Sequence, residues 1–216
     1  FTNHIIGVEK NPDHARIALK KGIVQEISDL KTAVEKANLV ILAIPVNIIV
    51  QLLPNILNYA DDHTTITDMG STKSVLIESV TGHTRRGQYV AAHPMAGTEY
   101  SGPTAAIYNL FDNKTAIICD KENSDADAVL IVEGMFKLLN MPLLYMNGHE
   151  HDMHAAYVSH ISHISSFVLA MAVLEKEKSV NTIFNLASGG FASTVRLAKS
   201  SPQMWSQIFE QNQHNL

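Results

Sequence analysis

The sequence predicts two units of different class: an α/β unit over residues 1–148 with a largely parallel sheet, and an all-α unit over residues 149–216. Three observations carry this. As far as about residue 147, short apolar runs alternate with helix-like segments, the βαβ pattern of a sheet covered on both faces. After Asn147-Gly148 the period changes, and residues 150–178 hold no glycine or proline and keep apolar positions at helical spacing. Finally, the apolar run 89–92 ends on His93, and Pro94 and Gly97 turn the chain directly behind it. In an open α/β sheet the carboxyl ends of the strands are where ligands bind, and an imidazole there can exchange a proton near neutral pH.

Each element follows from local chemistry. Residues 4–8 read as a strand, and residues 12–21 as a helix capped by Asn11, opened by Pro12 and ended by Gly22. A helical turn over 32–36 precedes the clearest buried strand, 38–45, and residues 46–57 are apolar at helical spacing. Residues 64–69 form a further strand, then Gly70-Ser71-Thr72-Lys73 leads into a helix reaching about residue 80. Strands at 89–92 and 115–119, a helix over 126–139 and a strand at 143–146 complete the series. In the second unit the expectation is one long helix over 150–178, shorter helices over 180–188 and 191–199 about a Gly189-Gly190 hinge, and a last helix capped by Ser201 with Pro202 at its first position.

Composition narrows the function classes. At 216 residues, 46% hydrophobic and 17% charged, the chain is an ordinary globular sequence with enough length for a sizeable core. A net charge of −5 gives no basic surface for nucleic acid or an anionic membrane. The single cysteine, Cys119, excludes an internal disulfide framework, fits a reducing cytoplasm and reads as an apolar filler. The longest aliphatic runs, such as 39–44, are too short to cross a bilayer. The chain opens on Phe1 in the middle of a pattern, which reads as a piece of a longer protein.

Several residues stand where chemistry is done. Glu9 follows the first strand; in a dinucleotide fold an acid at the end of the second strand binds the adenosine ribose and selects NAD over NADP, about 20 residues beyond a glycine fingerprint. That count places the fingerprint ahead of Phe1, and Lys10 leaves room for NADP. Ala43-Ile44-Pro45 ends the buried strand where small groups can line a cofactor, and Gly70-Ser71 ends another, with a free hydroxyl near a helix start. His149, His151 and His154 invite a metal reading, but only His151 and His154 share a helical face, and acidic residues at a helix start also suit the macrodipole. Ser159 and His163 share a face of the long helix, where polar groups must find partners or line a cleft. Arg196, beyond Gly189-Gly190, can clamp a carboxylate in bidentate fashion.

Together these residues resemble the prephenate dehydrogenase family. The matching elements are Glu9, Ile44-Pro45, Asp68-Met69-Gly70-Ser71-Thr72-Lys73, His93-Pro94-Met95-Ala96-Gly97-Thr98-Glu99, His151-Asp152, Ser159-His160-Ile161-Ser162-His163, Arg196 and Ser201-Pro202-Gln203-Met204-Trp205. The resemblance implies an α/β Rossmann-type NAD-binding domain lacking its first strand and glycine-rich loop, followed by an all-α dimerisation domain that continues past Leu216. It implies NAD as cofactor, prephenate as substrate, a cytoplasmic homodimer joined through the helical domain, and tyrosine biosynthesis as the pathway. It assigns His93 as the group that takes the proton of the ring hydroxyl, with Ser71 holding the imidazole near the nicotinamide. Arg196 is assigned a substrate carboxylate, with His163, Ser159, Thr98 and Glu99 shaping the pocket, and Glu9, Ala43, Ile44, Pro45, Gly70 and Ser71 facing the cofactor. No metal is implied. At Ala192-Ser193 the chain departs from an Arg-Asp pair frequent in the family.

Arogenate dehydrogenase is the near alternative, with an amino group in place of the side-chain keto group. A β-hydroxyacid dehydrogenase shares the general plan but relies on a lysine in its helical domain, where this chain offers histidines. A nucleotide-binding regulator without catalysis is disfavoured by the joint presence of His93, Ser71, His163 and Arg196.

Overall fold

The structure, a computed structural model, describes residues 4–98, 100–180 and 182–216. The chain divides into two compact units, Phe1–His151 and Asp152–Leu216. The first carries β1 (Ile6–Gly7), α1 (Pro12–Lys20), β2 (Glu26–Ile27), α2 (Leu30–Lys36), β3 (Leu39–Leu42), α3 (Val46–Tyr59), β4 (Thr65–Asp68) and α4 (Ser74–Glu78). It continues with β5 (Tyr89–Pro94), β6 (Ala116–Cys119), α5 (Ala126–Leu138) and β7 (Leu143–Met146). Local signals set several boundaries. Asn11 accepts hydrogen bonds from the Asp13 and His14 amides at the start of α1, and Gly22 leaves it with φ 69°.

Five strands form one sheet in the order β3-β4-β5-β6-β7, and β1 and β2 form a separate parallel pair. The pairs β3–β4, β4–β5 and β6–β7 are parallel, but β5–β6 is antiparallel, with His93 opposite Ile117. The reason lies in the connection. Between β5 and β6 the described residues hold only a short 3₁₀ turn, Pro103–Ala105, and without a crossover helix the chain comes back in the opposite direction. The strand β2, which the apolar pattern does not signal, is two residues long.

Alternation along the central strands feeds two cores. Tyr89, Ala91, Ile117 and Cys119 face a cluster with Ile49, Leu53, Ile56, Leu57 and Leu76, while Val90, Ala92, Ala116 and Ile118 face Val132, Met135 and Phe136. Burial on both faces is why these strands read as unbroken apolar runs. Because β3, β4 and β5 run in parallel, their carboxyl ends, at Ala43, Met69 and Pro94, share one edge of the sheet.

The second unit is helical. A helix begun as α6 (Gly148–Ala155) passes through a π turn, Ala156–His160, into α7 (Ile161–Val180); α8 (Gly189–Thr194) and α9 (Pro202–Gln211) follow. The long helix forms as expected, apart from the π turn at Ala156–His160, a device frequent at functional sites. The helix expected over 180–188 is only a 3₁₀ turn, Ile183–Leu186. Gly189 and Gly190 lie inside α8, which stops at Thr194 before a separate 3₁₀ turn, Arg196–Lys199. Ser193 and Thr194 both bond the Gly190 carbonyl at 2.9 Å, a local competition that weakens helix continuation.

One expectation about hydropathy is corrected. Gly148–Val180, 33 residues, is long and apolar enough to cross a membrane by length and composition. Scanning for aliphatic runs misses it because alanine, methionine and serine interleave the larger residues. Val168, Met171 and Leu174 on this helix are exposed within the chain.

Candidate active site

His93 lies near the end of β5, half-buried, and its Nδ1 stands 2.9 Å from Nε2 of His151. The two rings meet edge to face, with centroids 5.1 Å apart at 64°. β6 holds the histidine strand on one side, and the pairing runs through Pro94, two residues beyond the end expected from the apolar run. His151 comes from the start of α6, where Asn147 accepts the Glu150 amide at 2.8 Å and Asp120 accepts the Gly148 amide at 3.0 Å. His151 is buried. Spacing alone offered it as a metal ligand; the fold makes it the partner of His93.

A buried polar cluster holds Ala92, the residue before His93. Asp68 ends β4 and Lys73 precedes α4, and both side chains are fully buried as an ion pair. Asp68 Oδ1 also accepts the Tyr89 hydroxyl at 2.7 Å and the Ala92 amide at 3.3 Å; Oδ2 accepts the Gly70 amide at 2.8 Å. Lys73 Nζ donates to the Ala92 carbonyl at 2.7 Å. Burial, and then the Asp68 carboxylate, push the Tyr89 hydroxyl well above the usual phenol range, so it remains a donor. A signal was present: an acid and a lysine five residues apart around a glycine turn. Only the tertiary fold buries them together.

The candidate cofactor residues occupy turns at strand ends. Ala43, Ile44 and Pro45 form an exposed turn between β3 and α3. Gly70 follows β4, and a Cβ there would stand 2.8 Å from Asp68 Oδ2 and 3.0 Å from Val46 Cγ1, so the turn has no room for a side chain. Ser71 is half-buried beside it, and the Nδ1 bond of His93 goes to His151 rather than to this hydroxyl. Glu9 lies just past β1; its carboxylate accepts the Asn11 amide at 2.8 Å and stands 3.8 Å from His14 Nδ1. Thr98, half-buried, bonds main-chain atoms of Tyr100 at 3.3 Å. Glu99 lies outside the described residues.

In the helical unit the structure groups His163, Ser159, Arg196 and Trp205. His163 Nδ1 is 3.0 Å from the Ser159 carbonyl, which only accepts, so Nδ1 carries a proton and the neutral ring has its lone pair at Nε2. Burial lowers the His163 imidazole below its usual range, and the Arg196 charge lowers it further. Trp205 stacks on His163 with centroids 3.5 Å apart at 23°, and its buried indole N–H has no hydrogen-bond partner among the described residues. Arg196 is exposed on the 3₁₀ turn after α8. The π turn sits one helical turn before His163, with Asn212 donating to His160 Nδ1 at 3.0 Å and to the Asp152 carbonyl at 2.7 Å.

Comparison with known proteins gives this geometry a family. Residues 1–144 match the prephenate dehydrogenase nucleotide-binding domain, and residues 147–216 match the prephenate dehydrogenase dimerization domain. A prephenate dehydrogenase of Bacillus subtilis is 32% identical over 98% of this chain and 58% of its own length. A cyclohexadienyl dehydrogenase of Zymomonas mobilis is 28% identical over 85% of this chain and 63% of its own. The chain thus spans less than two thirds of the length of these curated relatives. The crystal structure of prephenate dehydrogenase from A. aeolicus in complex with hydroxyphenyl propionate and NAD+ superposes with a TM-score of 0.88 at 28% identity, covering all of this chain and 76% of the other. The matches reach from the first strand to the last helix, and the chain belongs to the prephenate dehydrogenase family.

Proposed function

We propose that the protein containing this chain catalyses the NAD-dependent oxidative decarboxylation of prephenate to 4-hydroxyphenylpyruvate. The observation that carries the reading is the 2.9 Å pairing of His93, at the carboxyl end of a central strand, with the buried His151. With Nδ1–H donating to His151, Nε2 of His93 keeps its lone pair for a substrate hydroxyl.

The residues present fit a dinucleotide. The side-chain-free turn at Gly70 and the exposed turn at Ala43, Ile44 and Pro45 lie at neighbouring strand ends, where such cofactors bind. The Glu9 carboxylate, partly exposed, suits ribose hydroxyls and disfavours a ribose phosphate. When bound, NAD supplies the hydride acceptor. His93 Nε2 takes the proton of the ring hydroxyl as that carbon becomes carbonyl-like. The ring carboxylate then leaves as carbon dioxide and its bonding electrons make the ring aromatic, so the protein's work is to orient the carbinol and stabilise charge. Ser71 lies beside the cofactor turn. Arg196 is the group assigned to a substrate carboxylate, with His163 and Ser159 the substrate-binding residues of the helical unit and Thr98 and Glu99 those of the first unit. Val168, Met171 and Leu174, exposed on α7, together with the match to a dimerization domain, support a homodimer through the helical unit. A cytoplasmic location goes with this biosynthetic role.

Arogenate is the second reading, favoured by the match to a cyclohexadienyl dehydrogenase. Formation of reduced cofactor by the complete protein with prephenate, and in parallel with arogenate, tests both. Activity with one substrate alone assigns the specificity, and inactivity with both refutes the reading. His93→Asn is expected to lower kcat by at least about a hundredfold, within the range for losing a general base, with NAD affinity retained; surviving turnover would remove His93 from the chemistry.

A further inference from the structure

Resting on the functional reading above, we propose that Lys73 and Asp68 are positioning residues: their buried ion pair sets the backbone on which both His93 and Ser71 are carried. The main-chain pairing of β4 with β5 comprises Ile66 opposite Tyr89 and Thr67 opposite Val90. Beyond it, side chains continue the connection. Asp68 Oδ1 accepts the Ala92 amide at 3.3 Å, and Lys73 Nζ donates to the Ala92 carbonyl at 2.7 Å. Both peptide groups of the residue before His93 are therefore held by one ion pair. The same carboxylate accepts the amide of Gly70, the residue before Ser71, at 2.8 Å. On its other side β5 is paired to β6, with His93 opposite Ile117. The histidine backbone is thus clamped between a strand and a salt bridge.

The choice of charged residues has a physical reason. Taking a carboxylate and an ammonium fully out of water is costly, and apolar side chains of similar volume are often as stable in such places. Apolar groups cannot accept an amide proton and donate to a carbonyl at one residue. Lysine has three donor hydrogens for this task, and Asp68 offers two oxygens that serve Tyr89, Ala92, Gly70 and Lys73. Neither side chain has exposed surface, so neither reaches substrate. Their effect on the reaction passes through the placement of His93, and a displacement of about 1 Å in a reacting group costs on the order of a hundredfold in rate.

The test uses the complete protein with Asp68→Asn/Lys73→Met, which removes both charges of the pair together. Two readouts are compared with the parent: the imidazole resonances of His93 in protein carrying isotope-labelled histidine, assigned with His93→Asn, and steady-state kinetics. The expected result is a folded protein whose His93 resonances shift, whose kcat falls at least about tenfold, and whose KM for substrate and cofactor stays within about threefold. Unchanged His93 resonances in the folded variant overturn the proposal, whatever the kinetics. A parent protein inactive on both prephenate and arogenate refutes the functional reading instead, and the resonance comparison still decides the positioning role. If the double variant does not fold, Asp68→Asn/Lys73→Gln replaces it. Glutamine, one atom shorter than lysine, keeps a polar partner for position 68 and withdraws from the Ala92 carbonyl, and the same shift is expected.

Discussion

Replacing His151 with phenylalanine is the sharpest test of the histidine pair. The substitution keeps a planar ring in a buried position and removes the ring nitrogen 2.9 Å from His93 Nδ1, the acceptor in the proposed tautomer. A neutral hydrogen bond contributes about 0.5–1.5 kcal/mol net, and a buried donor deprived of its acceptor costs about 1–3 kcal/mol. His93 can recover that cost by moving its proton to Nε2, the atom proposed above to receive the substrate proton. At roughly 1.4 kcal/mol per factor of ten, the productive tautomer falls by about 5- to 150-fold, and kcat follows. The hydroxyl contact at Nε2 is one of several substrate contacts, so KM for substrate should change less than kcat and KM for cofactor should stay within about threefold. The assay is the initial rate of cofactor reduction at saturating substrate, with thermal unfolding as a control for intact folding. A folded His151→Phe protein with kcat within about twofold of the parent would refute the claim that His151 sets the tautomer of His93.

Other expectations follow from the same geometry. Arg196→Ala should raise KM for substrate about 10- to 100-fold, the loss of a charge-assisted carboxylate contact, with kcat affected less; an unchanged KM would remove Arg196 from the binding face. His163 is held below its usual imidazole range by burial and then by Arg196, so the folded protein favours the neutral ring. Its contribution to stability is complete above the unfolded value of about 6.5 and is lost as pH falls below it. His163→Gln should therefore flatten the acid-side fall in melting temperature, and equal slopes in parent and variant would refute this. Leu53→Ala, at a fully buried position in α3, should cost about 2–5 kcal/mol in urea unfolding. A cost below about 1 kcal/mol would mean that this core does not pack as described.

Much of the fold is readable from local chemistry because its rules are local. Asn11-Pro12 opens α1, Ser201-Pro202 opens α9, and short unbroken apolar runs predict the central strands, each signal acting within a few residues of the structure it makes. Signals that depended on distant partners failed. β2 is too short to show a period, and the reversal between β5 and β6 depends on what the chain omits between them. The helix expected over 180–188 and the glycine hinge gave way to a 3₁₀ turn and to α8, where side-chain hydroxyls compete for the Gly190 carbonyl.

The candidate site divides in the same way. The sequence by itself determined that His93 ends a strand, that Gly70 and Ser71 follow another, and that Ser159 and His163 share a helical face. These are statements about neighbours in the chain. Only the tertiary structure decided that His151 is the partner of His93, 58 residues away, and that Lys73 reaches the Ala92 carbonyl across 19 residues. It likewise brought Trp205 flat against His163. Such pairings are set by strand order and helix packing, which bring distant residues to one point, and burial then forces their polar atoms to find one another.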